Sequence, residues 1–128
     1  MLLDTTFLID LQRDLKGGRS RGAARFLQSR PSAPVCISLI SWMEFAEGYG
    51  PEREEACRQF LSRFPLVLPN VSIAWRASRL SRQMREQGRQ VGDHDLWIAA
   101  TAMELGKPLV TRNTKHFRLI PDLHIVVY

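Results

Sequence analysis

Apolar and polar residues follow one another along the chain in blocks that predict strands and helices in alternation. Short apolar runs between turn residues predict strands at residues 2–3, 35–38, 66–68, 108–110 and 125–127. Helical periodicity predicts helices at residues 7–15, 20–29, 41–49, 52–63, 72–87 and 93–105, and a short helical turn at 113–117. Strands that alternate with helices favour an α/β fold, in which a central parallel sheet of about five strands is covered on both faces.

Two of these helices have features that bear on function. Ser41 and Glu44 have the spacing of a capping box, which predicts that a helix begins near Ser41 with Glu44 bonded to its first turn. The helix at residues 93–105 carries apolar residues on nearly every side, as helices enclosed by the rest of the protein do. We therefore expect this helix to be buried.

Acidic and polar residues stand where predicted strands end or helices begin. They are Asp4 after the first strand, Glu44 after the second, Asp93 and Asp95 at the start of the buried helix, and Thr111 and Asn113 after the fourth strand. Parallel α/β sheets gather such positions at the carboxyl ends of their strands. Clustered acids repel one another unless a cation lies between them, and oxygen ligands suit Mg²⁺ or Mn²⁺ rather than zinc. The pattern predicts a metal site.

Each of these residues also has a plainer interpretation. Asp4 is compatible with a solvated turn, Glu44 with the capping box alone, and Asp93 and Asp95 with acids that favour a helix N-terminus. Asn113 is compatible with an N-cap. Capping and metal binding do not exclude each other, because a capping oxygen keeps another lone pair. The three histidines, His94, His116 and His124, are interpreted as surface residues, with a phosphate contact left open for His116.

Composition narrows the class of protein. With 128 residues, of which 45% are hydrophobic and 24% charged, the chain is expected to form one globular domain over residues 1–128. No apolar run reaches the roughly 18 residues that span a bilayer, and no signal peptide is recognised. Cys36 and Cys57 are too few for a disulfide framework or a zinc cluster. We expect a cytoplasmic protein without a membrane partner.

The charge of the chain favours a phosphate-rich partner. The formal net charge is +5, and arginine supplies most of the positive side chains, in two segments at residues 13–30 and 76–89. Arginine binds phosphate oxygens with two parallel hydrogen bonds, and nucleic acids attract such surfaces. The arginines are equally compatible with solvated helix faces that bind nothing.

Three segments of the sequence carry a resemblance to a known family. They are LLDTTFLIDL at the start, ISLISWMEFAEG in the middle, and GRQVGDHDLWIAATAMELGKPLVTRNTKHF near the end. Over residues 2–117 the chain resembles a PIN domain, and within that group the VapC-type toxin ribonucleases of bacterial type II toxin–antitoxin systems. The resemblance implies a PIN-like α/β/α sandwich built on a parallel sheet.

The resemblance also implies roles for individual residues. It implies Mg²⁺, with Mn²⁺ as an alternative, held by Asp4, Glu44 and Asp95, and a fourth catalytic position at Asn113, where relatives carry Asp or Asn. An amide binds a cation more weakly than a carboxylate, which makes a second metal ion doubtful. Supporting roles fall to Thr6 and Thr111, which would hydrogen-bond the acids, and to Asp93 as a cap or outer group. We expect RNA contacts from cationic residues around the cleft: Arg13, Arg19, Arg112 and Lys115.

The implied reaction is hydrolysis of an RNA phosphodiester by a metal-activated water, in structured RNA such as transfer or ribosomal RNA. Direct attack by water leaves a 5′-phosphate and a 3′-hydroxyl. The implied partner is a VapB-type antitoxin whose C-terminal segment lies in a groove near the acids and blocks it. The resemblance also implies that this chain forms a homodimer through its long central helices, and that the homodimer binds the antitoxin. Four aromatic residues are compatible either with that groove or with the core: Trp42, Phe45, Phe60 and Phe64.

Three other functions are alternatives to a toxin ribonuclease. A housekeeping PIN-domain nuclease that processes RNA, and a PIN module that binds RNA without cutting it, remain open, although Asp4, Glu44 and Asp95 are all present. A phospho-receiver domain is excluded, because it needs an acidic pair after the first strand and an aspartate after the third. The chain has Asp4 followed by Thr5, and Leu68 followed by Pro69, at those places.

Overall fold

Five short parallel strands form the centre of the fold. The computed structural model of the chain describes residues 1–18 and 22–128. The strands are β1 (Leu2–Leu3), β2 (Cys36–Ser38), β3 (Leu66–Val67), β4 (Leu109–Val110) and β5 (Ile125–Val126). The described helices are α1 (Thr5–Lys16), α2 (Gly22–Gln28), α3 (Leu39–Ala46), α4 (Glu54–Leu61), α5 (Val71–Glu86), α6 (Asp93–Glu104) and α7 (Thr114–Phe117). A single 3₁₀ turn, Pro51–Arg53, precedes α4.

The order of the strands creates a cleft next to β1. The sheet has the order β3-β2-β1-β4-β5, and every pair is parallel, which confirms the expected sheet. The chain builds the sheet outward from β1 on one side, through β2 and β3, and returns to the other side with β4. Strand order therefore reverses between β1 and β4, which is where ligands bind in open parallel sheets. Asp4 and Thr111 follow these two strands directly.

Apolar side chains cover both faces of the sheet. Successive residues of a strand point to opposite faces, so Leu2 and Leu109 pack with α5 and α6, while Leu3 and Val110 pack with α1 and α4. The α6 helix is buried along most of its length, as expected, with Ile98 and the alanines that follow it inaccessible to solvent. This arrangement is the predicted α/β/α sandwich. None of the described helices is both long enough and apolar enough to cross a membrane.

The capping box predicted at Ser41 and Glu44 is wrong. Helix α3 begins at Leu39, and its N-cap is Ser38, the last residue of β2. The Ser38 hydroxyl accepts a hydrogen bond of 2.9 Å from the backbone N–H of Ser41. Strand and helix follow each other without a loop, so the last strand residue also serves as the cap. Glu44 is consequently not needed at the helix end, and its side chain faces the cleft.

Three of the four aromatic residues considered for a partner groove belong to the core instead. Phe45, Phe60 and Phe64 are buried, and the rings of Phe45 and Phe60 stack at a centroid distance of 5.0 Å. Trp42 is partly buried against the same cluster. The groove hypothesis is therefore wrong for the three phenylalanines, because their rings fill the space between α3 and α4.

Candidate active site

The first acid of the site, Asp4, lies at the carboxyl end of β1 and is almost completely buried. The hydroxyls of Thr6 and Thr111 donate to its Oδ2 atom at 2.8 Å and 2.7 Å. Burial raises the pKa of the Asp4 carboxyl, the two hydroxyls oppose this rise, and the charge of Asp95 adds to it. Asp4 is thus a desolvated acid with a second acid close enough to repel it, and it is not the solvated turn residue of the plainer interpretation.

The second acid, Glu44, reaches the cleft from α3. Its Oε2 atom accepts a short hydrogen bond from the Thr5 hydroxyl, and Thr5 is the chain neighbour of Asp4. Its Oε1 atom lies 3.0 Å from Nδ1 of His94, at the start of α6. Glu44 therefore bridges the end of β1 and the first turn of α6, and both of its oxygens have partners.

The third acid, Asp95, lies in the first turn of α6. Its Oδ2 atom is 2.9 Å from Nδ1 of His116 on α7, and that nitrogen is 3.4 Å from the side-chain amide of Asn113. The backbone N–H of Asn113 donates to the Thr111 hydroxyl at 2.9 Å. Asn113 is the N-cap residue of α7, although its side chain makes no capping bond.

These contacts join the predicted residues at one edge of the sheet. The Thr111 hydroxyl bonds to both Asp4 and Asn113. The His116 imidazole contacts both Asn113 and Asp95. Asp93 lies beside them as the exposed first residue of α6, with Gly92 as the N-cap, so the interpretation of Asp93 as the cap is wrong. An open cavity of about 340 Å³ at this edge is lined by Glu44, Gly92, Asp93, His94 and Asp95. We call it the acidic pocket.

The sequence interpretation missed three residues of this site. Both imidazoles are exposed, as predicted for His94 and His116, but each also lies against an acid of the site, which the sequence does not indicate. The Thr5 hydroxyl orients Glu44, a role that no sequence pattern indicates. A local signal existed for His116, which follows Asn113 by one helical turn. None existed for His94 and Glu44, because fifty residues separate them in the chain.

The donor set of the site fits a hard divalent cation. Its three carboxylates offer oxygen ligands of the kind that Mg²⁺ and Mn²⁺ prefer. Burial raises the pKa of the Asp4 carboxyl, and a cation beside it would favour the ionised form. Within residues 1–18 and 22–128, no three His, Cys, Asp or Glu side chains are grouped closely enough to hold a metal ion as they stand. The fit therefore rests on the chemistry of the three carboxylates and on the hydroxyl and imidazole groups that orient them.

Two of the arginines expected to bind RNA lie on one flank of the cleft. Arg112 forms an ion pair of 2.8 Å with Asp10, and Arg13 lies 3.7 Å from the same carboxylate. Both line an open cavity of about 540 Å³ together with Tyr128, whose hydroxyl donates to Asp10 at 2.7 Å. Lys115 is exposed on α7. Arg19, the fourth expected contact, lies outside the described residues.

Comparison with known protein families identifies the family of this fold. The model of the PIN domain family matches residues 1–123. The chain belongs to the PIN-domain family. Among curated PIN-domain proteins, "Ribonuclease VapC1" of Haemophilus influenzae strain R2866 is 32% identical over 127 residues, which cover 95% of this chain and 92% of the relative. The "tRNA(fMet)-specific endonuclease VapC" of Shigella flexneri is 32% identical over 94 residues, or 70% of this chain and 71% of that protein.

A solved structure agrees with the assignment of the chain to this family. The VapBC-1 structure of nontypeable Haemophilus influenzae matches with a TM-score of 0.80 and 29% identity, over 98% of this chain and 96% of the matched chain. The expectation of a PIN domain of VapC type is confirmed, and so is the expectation of a nuclease.

Proposed function

We propose that this PIN-domain nuclease is a metal-dependent endoribonuclease that acts as the toxin of a VapBC-type pair. The observation that carries the proposal is the meeting of Asp4, Glu44 and Asp95 at the carboxyl edge of the sheet, each held by a hydroxyl or an imidazole. Relatives over most of the chain are named ribonucleases and support the choice of RNA as substrate. The proposal places the reaction in the cytoplasm, where cellular RNA is found.

In this proposal Asp4, Glu44 and Asp95 hold Mg²⁺, with Mn²⁺ as an alternative. The ion supplies two effects when bound, a lower pKa for an attacking water and stabilisation of charge on the phosphate. The chain's own residues prepare the ligands: Thr6 and Thr111 fix Asp4, and Thr5 fixes Glu44. Side chains that orient metal ligands in this way affect activity by about 10- to 100-fold.

His116 and Asn113 have a positioning role in the same scheme. His116 keeps Asp95 at the edge of the acidic pocket, and Asn113 lies beside the imidazole. Water attacks the phosphorus and loses a proton, the bond from phosphorus to the 3′ oxygen breaks, and that oxygen takes up a proton from solvent. The products therefore carry a 5′-phosphate and a 3′-hydroxyl.

The proposed partners follow from the same relatives. The matched Haemophilus structure is of VapBC-1, so we propose a VapB-type antitoxin as the inhibitor of this chain. The homodimer that the family resemblance implies is proposed as its assembly unit. Since one relative is named as specific for a transfer RNA, bulk transfer RNA is the first structured substrate to test. Copurification with the product of a small adjacent reading frame would distinguish a toxin from a housekeeping nuclease.

The test compares wild type with Asp95→Asn on total cellular RNA and maps the ends of the products. We expect discrete cuts in Mg²⁺, none in EDTA, and a loss of more than about 100-fold in the variant, which is above the range for an outer hydrogen-bond partner. Asp122→Asn is the matched control, because Asp122 is exposed and its φ of 60° suits asparagine. Cyclic phosphate ends, or RNA binding without cutting by protein free of antitoxin, would contradict the proposal.

A further inference from the structure

A second cavity adjoins the acidic pocket in the layer of α5 and α6, which covers the face of the sheet opposite α1. It lies between the last turn of α5, the first turn of α6 and the segment that connects them, and its volume is about 350 Å³. Asp93 lines both this cavity and the acidic pocket. We call it the α5–α6 pocket, and its walls include Met84, Arg85, Arg89, Gln90, Asp93 and Leu96. The two cavities therefore meet at Asp93.

The α5–α6 pocket contains two guanidinium groups, of which one is hydrogen-bonded within the described part of the chain and the other is not. The Arg89 guanidinium donates to the backbone oxygen of Leu119 at 2.8 Å, which holds the side chain against α7 and the segment after it. Arg85 is exposed, and its guanidinium forms no ion pair or hydrogen bond with the described residues. Two cations face one acid, Asp93, so the pocket carries net positive charge beside a site that is strongly negative.

The floor of the pocket strengthens the attraction of these cations for an anion. Met84 and Leu96 are buried apolar side chains at its base. A low-dielectric wall behind a charged group reduces screening by water, and so increases the field that an anion feels. An arginine fork that has no other partner binds phosphate oxygens with two parallel hydrogen bonds.

We propose that the α5–α6 pocket is a phosphate subsite for the RNA strand that passes through the acidic pocket. This inference rests on the proposed function. The carboxylates of the acidic pocket repel an RNA backbone, so binding energy has to come from cations on its flanks. Arg13 and Arg112 occupy one flank, and Arg85 and Arg89 occupy the other. A strand held on both sides is positioned for cleavage between them.

Arg85 also has a purely structural role, which the test has to separate from RNA binding. It stands in the last turn of α5, where a positive side chain interacts favourably with the helix dipole. Removal of its charge therefore lowers thermal stability slightly in either case. Only the phosphate subsite predicts a change in the affinity for RNA and in its dependence on salt.

The experiment measures binding of a fluorescein-labelled single-stranded RNA of mixed sequence by anisotropy, in EDTA, over a series of salt concentrations. Arg85→Gln is expected to weaken binding by about 3- to 10-fold and to reduce the slope of log affinity against log salt by about 0.7, the value for one single-strand phosphate contact. Arg79→Gln is the matched control, since Arg79 is an exposed arginine of the same helix that lines neither pocket. Arg85→Lys should restore the slope and part of the affinity.

A cleavage assay on bulk transfer RNA in Mg²⁺ adds a second readout. The subsite predicts that Arg85→Gln raises KM and leaves kcat unchanged, because the interaction exists before the chemical step. Equal losses for Arg85→Gln and Arg79→Gln would mean that only overall charge matters, and would overturn the subsite. A lower melting temperature with unchanged RNA binding would overturn it as well. RNA binding that depends on Arg85, in a wild-type protein that does not cut, would support the subsite and count against the proposed nuclease.

Discussion

Asp4 combines a functional position with a cost to stability. Only 3% of this residue is exposed, and burial raises the pKa of its carboxyl above the ordinary value of 3.8. A raised pKa means that the folded protein holds the proton more tightly than the unfolded chain does. Ionisation of Asp4 therefore lowers stability as the pH rises above about 4. The chain tolerates this charge because the Thr6 and Thr111 hydroxyls bond to it.

We therefore expect Asp4→Asn to stabilise the metal-free protein while it abolishes cleavage. The amide oxygen still accepts the threonine hydroxyls, and the desolvated charge is gone. In EDTA at pH 7, thermal melts should show a higher melting temperature for Asp4→Asn than for wild type, because the folded protein no longer holds a desolvated charge. The gain should shrink toward pH 4, where wild-type Asp4 also becomes neutral.

Asp93→Asn is the control for this prediction. Asp93 is exposed in the first turn of α6, where a negative charge favours the helix N-terminus. Its removal should leave the melting temperature unchanged or lower it. A lower melting temperature for Asp4→Asn in EDTA would show that the carboxylate itself is required for the fold.

At the residue scale, the sequence predicted the acids of the site better than their partners. Asp4 could be placed because it follows a strand, and strands of a parallel sheet end at one edge. The contacts of His94 with Glu44 and of His116 with Asp95 depend on how α3, α6 and α7 meet, and they span 50 and 21 residues of chain. No local pattern indicates contacts between such distant residues, so the sequence predicts two exposed imidazoles but not their acidic partners.

At the scale of elements, helix α3 shows why periodicity locates a helix better than its first residue. Ser38 and Ser41 are both suitable caps, and Glu44 three residues after Ser41 completes a plausible box. The choice between them depends on where β2 ends, and β2 ends at Ser38. Because the cap is Ser38 and not Ser41, three residues later, Glu44 does not lie at the helix end and its side chain faces the cleft. The position of the cap thus decides the role of this acid.

A pair of cap substitutions tests this coupling between α3 and the site. Ser38 caps α3 and Asn70 caps α5, each by accepting a hydrogen bond of 2.9 Å from a backbone N–H. We expect Ser38→Ala and Asn70→Ala each to lower the free energy of unfolding by about 1 kcal/mol. Cleavage should fall only with Ser38→Ala, because α3 carries Glu44. Equal cleavage by the two variants in denaturant-free buffer would contradict the coupling.

At the scale of the whole molecule, strand alternation predicted the layers of the fold, but the order of the strands was not readable. Each strand is only two or three residues long, too short to carry a pairing pattern. The order β3-β2-β1-β4-β5 brings Asp4 and Thr111 together and sets α6 beside them. The resulting charge distribution is an acidic centre with arginines on both flanks, inside a chain of net charge +5.

This charge distribution predicts that loss of a site acid strengthens RNA binding when no metal is present. In EDTA at low salt, Asp95→Asn should bind single-stranded RNA about two- to fourfold more tightly than wild type, the effect of one nearby repulsive charge in a watery cleft. Above about 0.1 M salt the gain should fade, since the screening length drops to about 10 Å. In Mg²⁺ the order should reverse, because the variant holds the ion less well.

Glu55→Gln on α4 is the control for this prediction. Its affinity for RNA should differ from that of wild type only by the small effect of net charge, because Glu55 is exposed and lines neither of the two pockets at the site. Equal gains for Asp95→Asn and Glu55→Gln would mean that RNA does not approach the acidic pocket.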